Sequence, residues 1–138
     1  MDPGERQEKI EFILDHFENP RNYGILEDAD IIQHGGNPGC GDSIIMYFKF
    51  SDDSTMEKVT FEGEGCTISK AAASMVTEMV QEKTIDEIET IPASSIIDIL
   101  GKELAMTRPR CATLGLDTVK RAVKMLERKK MMEKIKYD

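Results

Sequence analysis

Three cysteines, each in a local sequence suited to presenting sulfur, define the chemistry open to this chain of 138 residues. Cys40 sits in Asn37-Pro38-Gly39-Cys40-Gly41-Asp42, Cys66 in Gly63-Glu64-Gly65-Cys66, and Cys111 in Arg108-Pro109-Arg110-Cys111. Asp42 follows the first cysteine by two residues. Three thiolates and one carboxylate make a four-ligand set for zinc or an iron–sulfur cluster, provided they converge in space. The competing reading is that the cysteines are buried and behave as small apolar residues. No CxxC pair is present, so zinc-finger spacing is lacking. The absence of a close pair also disfavours a thiol redox enzyme, which needs one cysteine to resolve the other.

The surroundings of each cysteine favour ionised sulfur. Glycines on both sides of Cys40 let a bulky inorganic group approach the backbone. An extended segment there would place Cys40 and Asp42 on one side. Cys66 falls at the start of a helix, where exposed N–H groups and the helix dipole favour thiolate. Cys111 opens another helix, with Arg110 adding positive charge. A carboxylate is a harder, weaker partner for cluster iron than a thiolate. A site with Asp42 as fourth ligand should hold its cluster less firmly than an all-cysteine site, which suits a protein that gives the cluster away.

The elements that position these residues follow from periodicity. Ile10, Ile13, Leu14 and Phe17 share one helical face, and Asn19-Pro20 and Asn22-Tyr23-Gly24 end that helix. His16 lies near its end, where an imidazolium is favoured and a metal-ligand role is not expected. A short strand is expected at 29–33, with His34 on a flexible loop before two glycines. Residues 43–50 alternate, with Ile44, Met46, Phe48 and Phe50 on one face; residues 58–62 alternate again, with Val59 and Phe61 inward. A turn at 51–54 joins the two as an antiparallel hairpin. A helix over 66–82 carries Ile68, Ala71, Ala72, Met75, Val76, Met79 and Val80 as an apolar stripe. Thr84-Ile85-Asp86-Glu87 is a capping box. Ser94 or Ser95 caps a further helix that Gly101 ends, and the last helix runs over about 112–134. This order predicts an α+β fold: a small antiparallel sheet of about three strands with helices packed on one face.

Size and composition narrow the setting. A chain this long buries roughly 68–70% of its unfolded surface and needs no disulfide staples. The odd cysteine count agrees. No stretch resembles a signal peptide, and no apolar run approaches the roughly 20 residues of a membrane span, so a cytoplasmic location is expected. The net charge of -8 and pI of about 4.8 argue against nucleic acid as the main partner. Arg128-Lys129-Lys130 reads as a solvated helix end, with an acidic partner as the sharper alternative. Of nine methionines, Met75 and Met79 read as core, while Met131 and Met132 offer an adaptable contact surface.

The ordered motifs resemble those of the IscU/NifU-type iron–sulfur cluster assembly scaffolds. The similarity begins at Asp15-His16-Phe17-Glu18-Asn19-Pro20-Arg21-Asn22 and runs through Cys40-Gly41-Asp42, Gly65-Cys66 and Thr77-Glu78-Met79-Val80 with Lys83. It ends with Cys111-Ala112-Thr113-Leu114 and the last helix. The resemblance implies one scaffold domain over 1–138 with the cysteine loops gathered at one end. It implies that Cys40, Cys66 and Cys111 receive sulfur from a cysteine desulfurase and ligate a nascent 2Fe-2S cluster, that Asp42 tunes its release, and that apo iron–sulfur acceptor proteins take it. It implies a binding and transfer protein rather than an enzyme, and leaves a homodimer open. Many family members have histidine before the third cysteine; Arg110 stands here and cannot ligate, which leaves the fourth ligand to Asp42 or to a partner chain. The Leu-Pro-Pro-Val-Lys chaperone-recognition segment is replaced by Ala105-Met106-Thr107-Arg108-Pro109. Gly63-Glu64-Gly65-Cys66-Thr67-Ile68-Ser69 is closer to the SufU branch, which implies an alternative: a sulfur relay holding Zn2+ on the same four residues and acting as a sulfurtransferase. The 44 residues between Cys66 and Cys111, without the insertion of that branch, match the scaffold branch instead.

Overall fold

The computed structural model of the protein describes residues 2–37 and 41–137. The chain runs α1 (Pro3–Glu18), β1 (Ile31–Asn37), β2 (Asp42–Phe50), β3 (Met56–Glu64), α2 (Thr67–Val80), α3 (Ile85–Glu89), α4 (Ala93–Leu100), α5 (Lys102–Ala105) and α6 (Pro109–Tyr137). The strands form one antiparallel sheet in the order β1-β2-β3. The α+β architecture is the expected one.

The alternation read in β2 and β3 is what builds the core. Ile44, Met46 and Phe48 of β2 and Val59 and Phe61 of β3 are buried together on the face that meets α2 and α6. Burial of each large side chain contributes about 1.5–3 kcal/mol. The alanine-rich stripe of α2 lets α1 and α6 pack closely on it, and Leu116, Val119, Val123 and Leu126 of α6 are buried as their spacing predicts. The capping box at Thr84 and Glu87 forms in both directions. Among the described residues no helix is long and apolar enough to cross a membrane. Arg128, Lys129 and Lys130 are exposed, as are Met131 and Met132 at 64% and 70%.

Four local expectations are corrected. The first strand extends through His34, Gly35 and Gly36, which pair with Ile45, Ile44 and Ser43, so His34 is not on a flexible loop. Gly35 is required there because any Cβ would collide with Thr118 Oγ1 of α6, which crosses that strand. The cap of α4 is Pro92, with no side-chain hydrogen bond, rather than Ser94 or Ser95. On α1, Ile13 is buried while Leu14 is exposed, so the buried face is turned toward His16. His16 itself is 2% exposed; its Nδ1 lies 2.7 Å from the Ser74 Oγ of α2, and its ring meets Phe12 edge-on at 4.8 Å. Burial pushes the His16 pKa down, with Arg21 acting in the same direction and Glu78 and Asp15 opposing, so the neutral imidazole is favoured, not the imidazolium.

Candidate metal centre

Three elements bring the site together. Asp42 is the first residue of β2, Cys66 is the N-cap of α2, and Cys111 lies in the first turn of α6 behind Pro109. One ligand atom from each lies within 4.8 Å of the others. Asp42 and Cys111 are buried, at 4% and 1% exposure, while Cys66 is half-buried.

The Asp42 carboxylate is the hub. Its Oδ1 accepts the backbone N–H of Cys66 at 2.9 Å, and its Oδ2 accepts from the Cys111 thiol at 2.7 Å. The backbone of α2 and the side chain of α6 are thus tied to the same group on β2. Cys66 uses its side chain as a helix cap: Sγ accepts the Ser69 N–H at 3.4 Å. Ser69, itself buried, donates its hydroxyl to the Cys66 carbonyl at 3.0 Å and so steadies the turn that presents the sulfur. Gly65 completes the arrangement, since a Cβ there would sit 2.5 Å from Ser69 Oγ and 2.7 Å from Asp42 Oδ1.

The donor set fits a metal. A tetrahedral ion with bonds of about 2.3 Å to sulfur and about 2.1 Å to oxygen needs ligand atoms roughly 3.5–3.8 Å apart. Side-chain shifts of about 1 Å would close the present group onto such an ion. Asp42 would then exchange the Cys111 thiol proton for the metal and keep its bond to the Cys66 N–H, an orienting contact of the kind that fixes ligand geometry.

Cys40 lies outside the described residues, so its expected place beside Asp42 is not addressed by this geometry. The premise for that expectation changes at Gly41, which is left-handed, with φ 72°, rather than extended. Arg110 is exposed, whereas Cys111 next to it is buried. His16 and His34 lie on α1 and β1 and are not members of the group. Sequence reasoning missed Ser69, whose only signal was a small polar residue three after a helix-capping cysteine, and the Cys66 N–H contact to Asp42, which leaves no trace in residue type.

A sheet of three antiparallel strands, helices on one face, and a thiol–carboxylate group where β2, α2 and α6 meet define a small metal-handling α+β protein. Residues 8–133 match the family described as the NifU-like N terminal domain, and the chain belongs to that family. It is 40% identical over 111 residues to the iron-sulfur cluster assembly scaffold protein IscU 1 of Archaeoglobus fulgidus, covering 80% of this chain and 71% of the relative. It is 35% identical over 116 residues to the scaffold protein IscU of Escherichia coli (strain K12), covering 82% and 89%. Among solved structures, FiSufU of Fervidobacterium islandicum AW-1, ascribed to the SUF system, superposes with TM-score 0.67 at 28% identity, covering 82% of this chain and 94% of that one. The NifU-like N-terminal protein of Brucella abortus superposes with TM-score 0.76 over 90% and 99% of the two chains; at 18% identity it speaks to the fold alone.

Proposed function

We propose that this chain is an iron–sulfur cluster assembly scaffold, a single domain over 1–138 that binds and hands on its cargo rather than turning over a substrate as an enzyme does. The observation that carries the reading is the buried Asp42 carboxylate, held between the Cys66 N–H and the Cys111 thiol at the junction of three elements. Curated relatives named as IscU scaffolds support it. Cys40, Asp42, Cys66 and Cys111 are the ligands of the nascent cluster, a 2Fe-2S unit, which is cargo. Thiolates suit both sulfur acceptance and iron binding, and the single oxygen donor keeps the assembly labile. The partners are a cysteine desulfurase that supplies sulfur and apo iron–sulfur proteins that receive the product, in the cytoplasm. A second copy of the chain is a further candidate partner where a cluster bridges two protomers.

The test is anaerobic incubation of the full chain with ferrous iron, free cysteine and a cysteine desulfurase, followed by iron and acid-labile sulfide analysis and by transfer to an apo-ferredoxin. A red-brown product that passes to the acceptor is expected. A second reading, a zinc-holding sulfur relay, draws on the same donor set, which zinc also accepts. One tightly held zinc, with no reconstitution of iron and sulfide, would favour the relay and overturn the scaffold.

A further inference from the structure

Lys70 lies one turn into α2 from Cys66, and its backbone N–H donates to the Cys66 carbonyl at 3.2 Å. Residues four apart on a helix share a face, and long helical side chains lean toward the N-terminus. The side chain of Lys70 therefore reaches back toward the end that presents Cys66. Two rings hold its ammonium: Nζ is 4.9 Å from the Tyr23 centroid and 5.5 Å from that of Phe17. Those rings are themselves fixed. Tyr23 stands edge-on against the buried Phe61 at 5.2 Å, and its hydroxyl donates to the Gly63 carbonyl at 3.4 Å. Phe17 packs against the core. Gly63 is three residues before Cys66, so Tyr23 touches both the ammonium and the loop that delivers this sulfur.

Charge points the same way. The chain has 26 acidic residues against 18 Lys and Arg, yet among the described residues no carboxylate forms an ion pair with Lys70. α1 and α3 carry acids in their first turns, as the helix dipole favours, whereas α2 carries none there and has Lys70 close behind. Lys70 thus sets a cation near the Cys66 end of α2, where the buried Asp42 carboxylate already holds the Cys66 N–H and Glu64 lies exposed two residues before it.

We propose that Lys70, clamped between Phe17 and Tyr23, is a positioning residue that draws an anionic sulfur donor to Cys66, and that the preferred donor class is a persulfide carried beside carboxylates. This deepens the scaffold reading and rests on it. In the transfer the Cys66 thiolate attacks the terminal sulfur of the donor R–S–SH. An S–S bond to Cys66 forms, the S–S bond of the donor breaks, and R–S⁻ leaves with the bonding pair. The proton stays on the transferred sulfur, and no outside oxidant or reductant is consumed. Lys70 acts through the charge of the donor, not on the reacting sulfurs.

The test uses the full reduced chain and two small donors, anionic glutathione persulfide and cationic cysteamine persulfide. The gain of one sulfur is followed by intact mass and located on Cys66 by peptide mapping. Lys70→Met keeps the aliphatic stem between the rings and removes the charge. It should load about fivefold more slowly from glutathione persulfide at low ionic strength, the size of one close charge pair in water, and faster from cysteamine persulfide, whose ammonium no longer meets a like charge. Lys70→Arg should keep the wild-type preference, because guanidinium retains charge and stacks on rings. High salt should erase the difference between wild type and Lys70→Met. Equal loading of both proteins from the anionic donor, or an equal loss with both donors, overturns the role of Lys70 while leaving the scaffold reading intact. Wild-type Cys66 that accepts sulfur from neither donor overturns both.

Discussion

A Cβ built on Gly65 would stand 2.7 Å from Asp42 Oδ1. The loop that delivers Cys66 therefore passes the carboxylate at a distance only glycine permits, and the Cys66 N–H bond to the same oxygen depends on that approach. Gly65→Ala should push Asp42 off its position and lower zinc or cobalt affinity roughly tenfold, the scale seen when an orienting contact to a metal ligand is lost. A competition titration against a chromophoric chelator measures this; unchanged affinity would mean that Asp42 is not placed by the loop.

Asp42→Ala should slow release of the assembled cluster severalfold, because it removes the weakly held oxygen donor at which an incoming acceptor thiolate can most readily displace the chain. The half-time of transfer to an apo-ferredoxin under anaerobic conditions is the readout, and unchanged or faster transfer would count against the role given to Asp42. The same variant leaves the Cys66 N–H without its acceptor, at a cost of about 1–3 kcal/mol of stability. Urea unfolding of the metal-free protein reads that cost separately.

Arg110→Ala should leave metal affinity unchanged, since a guanidinium has no lone pair to offer and the side chain is exposed. Loss of binding in the same titration would show that the site is arranged differently from the Asp42, Cys66 and Cys111 group.

His16 predicts a pH dependence of stability. Burial lowers its folded pKa below the ordinary 6.5, so between the two values the unfolded chain binds more protons than the folded one. Stability should be fully present above about 6.5 and fall as pH drops from there toward the folded pKa. Denaturant titrations across this window check the sign. His16→Leu should flatten the slope in that window, at a cost of about 1–3 kcal/mol near neutrality from the buried Ser74 O–H, which loses its acceptor while Oγ keeps the Arg21 N–H. A variant with the wild-type slope would assign it to other groups.

Gly35→Ala should destabilise the fold by about 1–3 kcal/mol, because the new methyl group meets Thr118 Oγ1 where α6 crosses β1. Thr118→Ala made together with it should recover part of that loss in thermal or chemical melts, and strict additivity of the two costs would refute the contact.

The parts of this fold legible in the sequence were those set by local pattern. Ile44, Met46 and Phe48 announce β2 by strict alternation, and Thr84 with Glu87 announces the start of α3, because each signal lies within a few residues. His34-Gly35-Gly36 looks like a loop and is a strand, since the need for glycine comes from Thr118 of α6, more than 80 residues later. His16 was misjudged for the same reason: its burial, which favours the neutral form, comes from packing against α2, where its partner Ser74 lies 58 residues away. At the site, residue type showed which groups could bind metal, and the apolar stripe of α2 placed Cys66 at a helix start, while its role as the cap appears only in the structure. The hub role of Asp42 was not legible, because its partners lie 24 and 69 residues further along the chain and one of them is a backbone N–H.

The claim beneath the rest is that Asp42, Cys66 and Cys111 hold one metal together. The most direct measurement is the absorption spectrum of the anaerobic Co2+-loaded protein, in which sulfur-to-cobalt charge-transfer bands report thiolates on the ion. Wild type should show these bands, Cys66→Ala and Cys111→Ala should each weaken them, and Asp42→Ala should leave them in place while shifting the ligand-field bands. Full wild-type bands in either cysteine variant would contradict the shared centre.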